Sequence, residues 1–146
     1  MNLPTFEPVT YDYAAWLIGR RPWDVSRDPG LLVEAHRAAI DRFRQQSCVV
    51  GIDIYNVEAE ACGCAVDEPV GNGFPTITRA CCTSPEEILS LRFNAAYDGR
   101  LPMVLEAAAG LKRCRADCDV RIPICGPLSL AGHLLGLQNL LCRLLT

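Results

Sequence analysis

Cys48-Val49-Val50-Gly51-Ile52-Asp53-Ile54-Tyr55 carries the fold class of this chain. Its apolar, β-branched residues run on instead of alternating with polar ones. That is the pattern of a strand covered on both faces, as in a parallel sheet. Upstream, Asp28-Pro29-Gly30-Leu31 reads as a helix start, with Asp28 as cap and Pro29 at the first position, where no N–H is needed. Leu32, Ala35, Ala39, Ile40 and Phe43 then recur at helical period, opposite Glu34, Arg37, Asp41, Arg42 and Arg44. Residues 1–27 read as irregular.

Downstream, Asn56 is placed to cap a short helix, Val57 to Cys62, which stops at Gly63. Cys64-Ala65-Val66 is a short strand, and Asp67 to Gly73 is a turn-rich loop. Ser84-Pro85-Glu86-Glu87 opens a helix with cap, proline and a glutamate three residues after the cap. Another helix begins near Pro102 with Val104, Leu105, Ala108 and Leu111 inward. Val120, Ile122 and Ile124 alternate as a strand, and Gly126-Pro127 leads into one Leu-rich helix running to the end. Repeated strand–helix units imply an α/β fold with a parallel sheet. A closed eight-stranded barrel typically needs about 250 residues. The 146 residues here are too few to close one.

Composition narrows the function classes. Half of the residues are hydrophobic, which excludes a disordered chain. The 14 basic and 17 acidic residues give a net charge of -3, and the arginines are scattered. Nucleic acid is therefore not an expected partner. Leu128 to Leu145, the longest apolar stretch, is interrupted by Ser129, His133, Gln138, Asn139 and Arg143, so no membrane partner is expected. The first eight residues lack a basic and an apolar segment, and the nine cysteines read as reduced thiols, so a cytoplasmic protein is expected.

Two loci qualify for chemistry, because ligands in parallel α/β folds bind beyond the carboxyl ends of the strands. The first runs from Asp53 to Gly63. An acid in an apolar strand needs a partner, so Asp53 either caps a neighbouring element or faces a pocket. Glu58 and Glu60 lie in the first turns of a helix, where carboxylates also favour the dipole. The second locus runs from Ile124 to Gly136. Gly126-Pro127 leaves backbone N–H groups at a helix start, with Ser129 and His133 following. Cys62-x-Cys64, Cys81-Cys82 and Cys114-x3-Cys118 do not match the paired CxxC spacing of structural zinc.

These loci carry a resemblance. Val49 to Tyr55, followed by Val57-Glu58-Ala59-Glu60-Ala61-Cys62-Gly63, resembles the second strand region of the uroporphyrinogen decarboxylase family. That family includes the cobamide-dependent methyltransferases acting on coenzyme M. The Glu-Ala-Glu-Ala stretch is closer to the methyltransferase side. Pro75-Thr76-Ile77, Ser84-Pro85-Glu86-Glu87, Gly99-Arg100-Leu101-Pro102 and Gly126-Pro127-Leu128-Ser129-Leu130-Ala131 follow in the family's order.

The resemblance implies the N-terminal half of a (β/α)8 barrel: an incomplete parallel sheet flanked by helices, over residues 28–146, with its site at the strand C-termini. It implies a decarboxylase-type carboxy-lyase of porphyrin metabolism, without cofactor and without a protein metal site. Asp53 is the nearest match to the aspartate that organises pyrrole N–H groups. Gly19-Arg20 fits the second half of an Arg-x-x-Gly-Arg segment that binds substrate carboxylates, and Trp16 stands at its first arginine. His133 stands where the decarboxylase has a tyrosine. The expected catalytic residues are thus Asp53 and His133, and the expected substrate-binding set is Arg20, Tyr55, Asn56, Glu58, Gly126 and Ser129. Asp53, Tyr55 and His133 are expected toward one end of the sheet. The methyltransferases hold zinc with a His-x-Cys pair and a later cysteine, and neither His36 nor His133 has a cysteine two residues on. The alternatives are a corrinoid-dependent methyltransferase-like protein lacking its zinc-binding half, and a non-catalytic half-barrel. The expected partners are a tetrapyrrole or other small-molecule substrate, together with a second copy or a missing C-terminal half.

Overall fold

A computed structural model describes residues 7–92, 94 and 98–145. The ends of the chain on which two expectations rest, residues 1–6 and Thr146, lie outside the described residues. The elements in chain order are α1 (Tyr11–Leu17), α2 (Pro22–Val25), α3 (Pro29–Phe43), β1 (Ser47–Val49), α4 (Val57–Ala61) and β2 (Ala65–Asp67). They continue with β3 (Thr76–Arg79), α5 (Pro85–Ser90), α6 (Leu101–Cys114), β4 (Asp119–Arg121), α7 (Pro127–Leu135) and α8 (Leu137–Leu145). Two compact units divide them, one from Met1–Ile52 and Met103–Pro123, the other from Asp53–Pro102 and Ile124–Thr146.

The first unit is built on the parallel pair β1–β4, with Ser47 opposite Asp119, Cys48 opposite Val120 and Val49 opposite Arg121. The ladder continues one bond further, from the Val50 N–H to the Arg121 carbonyl at 2.8 Å. Helix α3 starts as its sequence requires: Asp28 Oδ1 accepts the Leu31 N–H at 2.8 Å and Pro29 holds the first position. It buries Leu32, Ala35, His36, Ala39 and Ile40. From α6 come Ala107, Ala108 and Leu111, and Cys48, Val50, Ile52 and Cys118 complete the core. Each large aliphatic side chain buried there is worth about 1.5–3 kcal/mol. Gly110 matters to this packing: a Cβ on it would sit 3.1 Å from Val33 Cγ2, so glycine lets α6 lie close to α3.

Residues 1–27 are not irregular throughout, since α1 and α2 lie within them. Ala14 and Ala15 are fully buried in the core that α3 also lines. This is a tertiary preference, and local sequence carries little of it: α1 has no side-chain cap and α2 is four residues long.

In the second unit, β2 and β3 form an antiparallel hairpin with an irregularity between Ala65 and Val66. Strand β3 was not expected. The unit's buried clusters centre on Ala59, Cys64 and Leu134, and on Cys82, Leu135 and Leu140. Ser84 caps α5, accepting the Glu87 N–H at 3.4 Å, while Glu87 reaches back to the Thr83 N–H at 2.6 Å. That is the expected reciprocal cap, closed one residue further out.

Three expectations are corrected. Strand β1 has three residues and does not reach Tyr55. Gly51 has φ +141 and gives its N–H to His36 Nε2 at 2.9 Å, so the ladder ends there. Strand β4 likewise ends at Arg121, and Ile122 and Ile124 are exposed. The C-terminal helix is two helices bent by 110° at Gly136, whose φ of +80 breaks the helical path. Among the described residues no single helix is long and apolar enough to cross a membrane.

Candidate functional site

The Asp53 carboxylate lies in the second unit and is only 7% exposed. Burial of a lone carboxylate is costly, so its partners define the site. Arg100 Nη2 donates to Asp53 Oδ2 at 2.8 Å, and Asn56 Nδ2 donates to Asp53 Oδ1 at 2.7 Å. Asn56 also donates to the Pro75 carbonyl at 3.0 Å. It was expected to cap α4, yet it makes no side-chain cap bond; its amide holds Asp53 to the start of β3 instead. Arg100 is 8% exposed, and its Nε donates to Glu60 on α4. One guanidinium thus bridges two carboxylates, which its planar fork of donors suits better than an ammonium would.

Gly99 sets that guanidinium in place. Its φ is +55, and a Cβ there would lie 2.8 Å from Ala61 Cα and 2.9 Å from Ala61 N. Backbone meets backbone at this point, and the next residue is delivered against α4.

The other glutamate of α4 does separate work. Glu58 Oε1 accepts the Cys125 N–H at 2.7 Å, one residue before Gly126, the cap of α7. Its Oε2 is buried with no hydrogen-bond partner among the described residues. Burial, and next the nearby Glu58 charge, raise the Cys125 thiol above its ordinary range.

Ser129 and His133 line a groove of about 360 Å³ between α7 and α8, walled by Leu128, Leu137, Leu140 and Leu144. His133 is half-buried, and its Nδ1 is buried without a partner among the described residues. Its carbonyl accepts the Cys64 thiol at 3.6 Å.

The residues singled out from sequence therefore fall into distinct settings. Asp53 and Asn56 share one buried network. Glu58 ties α4 to the segment leading into α7, where Gly126 is exposed. Ser129 and His133 share the groove. Tyr55 is 63% exposed. Arg20 is exposed and belongs to the other unit. Arg100 was missed as a site residue. Its signal was indirect: an acid in an apolar run demands a cation, and nothing local says which of the arginines supplies it. Among the described residues no three His, Cys, Asp or Glu side chains converge as a cation's ligand set.

The family described as uroporphyrinogen decarboxylase (URO-D) matches residues 9–145. The chain belongs to the uroporphyrinogen decarboxylase family. A solved structure, a methyltransferase from Methanosarcina mazei, is similar with a TM-score of 0.72 at 18% identity, over 91% of this chain and 39% of that one. At that identity the likeness concerns the fold. The parallel pair with flanking helices is part of a (β/α)8 barrel, and this uroporphyrinogen decarboxylase-family chain spans 39% of that neighbour's length. No match was found among curated proteins.

Proposed function

We propose that this chain is a barrel-wall segment of a methyl-transferring member of the uroporphyrinogen decarboxylase family, and that it does not decarboxylate uroporphyrinogen. The carrying observation is the closure of Asp53. A decarboxylase needs this carboxylate facing pyrrole N–H groups, so that it stabilises positive charge as carbon dioxide leaves. Here Asn56 and Arg100 each take one of its oxygens in a buried setting. Glu60, from the Glu-Ala-Glu-Ala stretch that resembles the methyltransferase side, holds the far side of Arg100. The feature that distinguishes that branch is thus also the one that locks Asp53.

On this reading the residues of the chain shape and hold. The Asp53–Arg100–Glu60 network fixes α4 to the segment that follows β1. Glu58 sets the start of α7, and His133 offers a hydrogen bond in an apolar groove that suits a small, mostly apolar group. The zinc ligands implied by the methyltransferase resemblance have no counterpart among the described residues. Leu128, Leu137, Leu144 and Leu145 are exposed on α7 and α8, which supports pairing with a complementary barrel segment. The nine free thiols accord with a cytoplasmic setting.

The test offers the purified chain uroporphyrinogen and methylcobalamin in separate assays. Saturable methylcobalamin binding, read from its visible spectrum, with no coproporphyrinogen formed, is the expected result. Coproporphyrinogen production, or the absence of any methylcobalamin binding, overturns the proposal.

A further inference from the structure

Four of the nine cysteines, Cys62, Cys64, Cys81 and Cys82, gather in the apolar clusters of the second unit. The Cys81 and Cys82 sulfurs are 3.7 Å apart. The pair is fixed from two sides. The Cys82 N–H donates to the Leu134 carbonyl at 2.9 Å, and Cys64, which shares an apolar cluster with Cys81, donates its thiol proton to the His133 carbonyl. Both anchors lie on α7. Cys82 is buried and Cys81 is half-buried, so a reagent meets Cys81 first. Ile88, Leu91, Leu135 and Leu140 surround the pair with apolar atoms.

This geometry selects its ligand. No three ligating side chains converge among the described residues, so a four-ligand zinc centre does not fit. A linear two-coordinate ion would need its sulfurs on opposite sides, whereas these two stand together. Burial also raises both thiols, Cys82 to about 11. Oxidation by peroxide requires the thiolate, so these thiols are poor targets for it at neutral pH. An electrophile that carries its own hydroxide leaving groups has no such need.

We propose that Cys81 and Cys82 form a binding site for a monosubstituted trivalent arsenical, R–As(OH)2. Each thiol forms one As–S bond, and each thiol proton leaves with one arsenic-bound hydroxide as water. One arsenical and two thiols give a cyclic dithioarsenite and two waters, with no change of oxidation state. The organic substituent takes the remaining position, against the apolar side chains of α5 and α7. The site does not depend on the chain's proposed methyl-transfer role.

The test uses phenylarsine oxide on the reduced full chain, followed by intact mass and by tryptic mapping. Cleavage after Arg79 and Arg92 isolates peptide 80–92, which contains these two cysteines and no other. A single adduct on that peptide, resistant to monothiols and removed by 2,3-dimercaptopropanol, is expected. Cys81→Ala should weaken binding at least about 100-fold, because the second bond is then no longer intramolecular. Cys114→Ala, at an exposed thiol in the other unit, should leave it unchanged. Inorganic arsenite, with a third hydroxyl to desolvate, should bind at least about tenfold more weakly. An adduct mapped to another peptide, or undiminished binding by Cys81→Ala, overturns the site; arsenite binding as tightly overturns the organic substituent. Mapping on the unsubstituted chain decides the matter even where a variant folds poorly.

Discussion

Arg100 and Asp53, 47 positions apart in sequence, meet through a 2.8 Å Nη2–Oδ2 bond, each less than a tenth exposed. The pair explains how an acid can follow an apolar strand, and it makes Arg100 the cation on which the second unit depends. Removing one partner of a buried ion pair leaves the other charged and unsolvated, at about 3–5 kcal/mol.

Arg100→Ala should therefore lower stability by about 3–5 kcal/mol, read as a shift of the urea midpoint. Asp53→Asn should cost less, about 1–3 kcal/mol, since Glu60 still pairs with Arg100. Arg100→Lys should recover only part of the loss, because an ammonium does not reproduce the two-carboxylate fork. A double Asp53→Ala, Arg100→Ala variant losing clearly less than the sum of the singles would demonstrate the coupling. Strict additivity would refute it.

His36 gives the first unit an acid sensitivity. It is 1% exposed, and burial lowers its pKa from 6.5 to about 4. Its Nε2 accepts the Gly51 N–H, so the ring proton sits on Nδ1 and the folded imidazole is neutral. Between about pH 6.5 and 4 the unfolded chain binds the proton that the folded chain refuses. Stability is then fully present above 6.5 and is lost as pH falls toward 4, by about 3 kcal/mol for this group. The depressed carboxylates, among them Asp24, Glu86, Glu87 and Asp117, add a loss of the same sign at lower pH. Unfolding free energies at pH 7 and 5 isolate the histidine. His36→Gln, which keeps an acceptor for Gly51, should flatten that slope; an unchanged slope would rule out His36 as its source.

Two glycines with similar backbones separate strain from contact. Gly71 has φ +63 with nothing near its missing Cβ, whereas Gly99 has φ +55 and faces the Ala61 backbone at 2.8 Å. Gly71→Ala should cost about 1 kcal/mol from the left-handed conformation alone. Gly99→Ala adds overpacking against α4 and should cost about 2–4 kcal/mol in all. Equal thermal shifts for the two variants would show that the Gly99 contact relaxes freely.

Local signals were legible where the physics is local. The Asp28-Pro29 cap, the Ser84 start with Glu87 behind it, and the period of Leu32, Ala35, Ala39 and Ile40 are satisfied within a turn or two of the chain, and each element stands where they put it. The order of short motifs also made the family visible. Gly136 was in plain view, yet a glycine in a Leu-rich run does not announce whether the helix passes through it or bends there. Helices α1 and α2 were missed because Ala14 and Ala15 owe their place to the core they enter.

The sequence by itself determined an α/β chain with its caps, its apolar faces and its kinship, because caps, helical periodicity and motif order are properties of neighbouring residues. Only the tertiary structure decided that Asp53 is closed by Arg100 and Asn56, that Asn56 forgoes the α4 cap, and that the Cys81–Cys82 pair is anchored to Leu134 of α7. Buried charge and thiol placement are settled by partners far along the chain. Residue type makes such a partner necessary, and the fold alone chooses it.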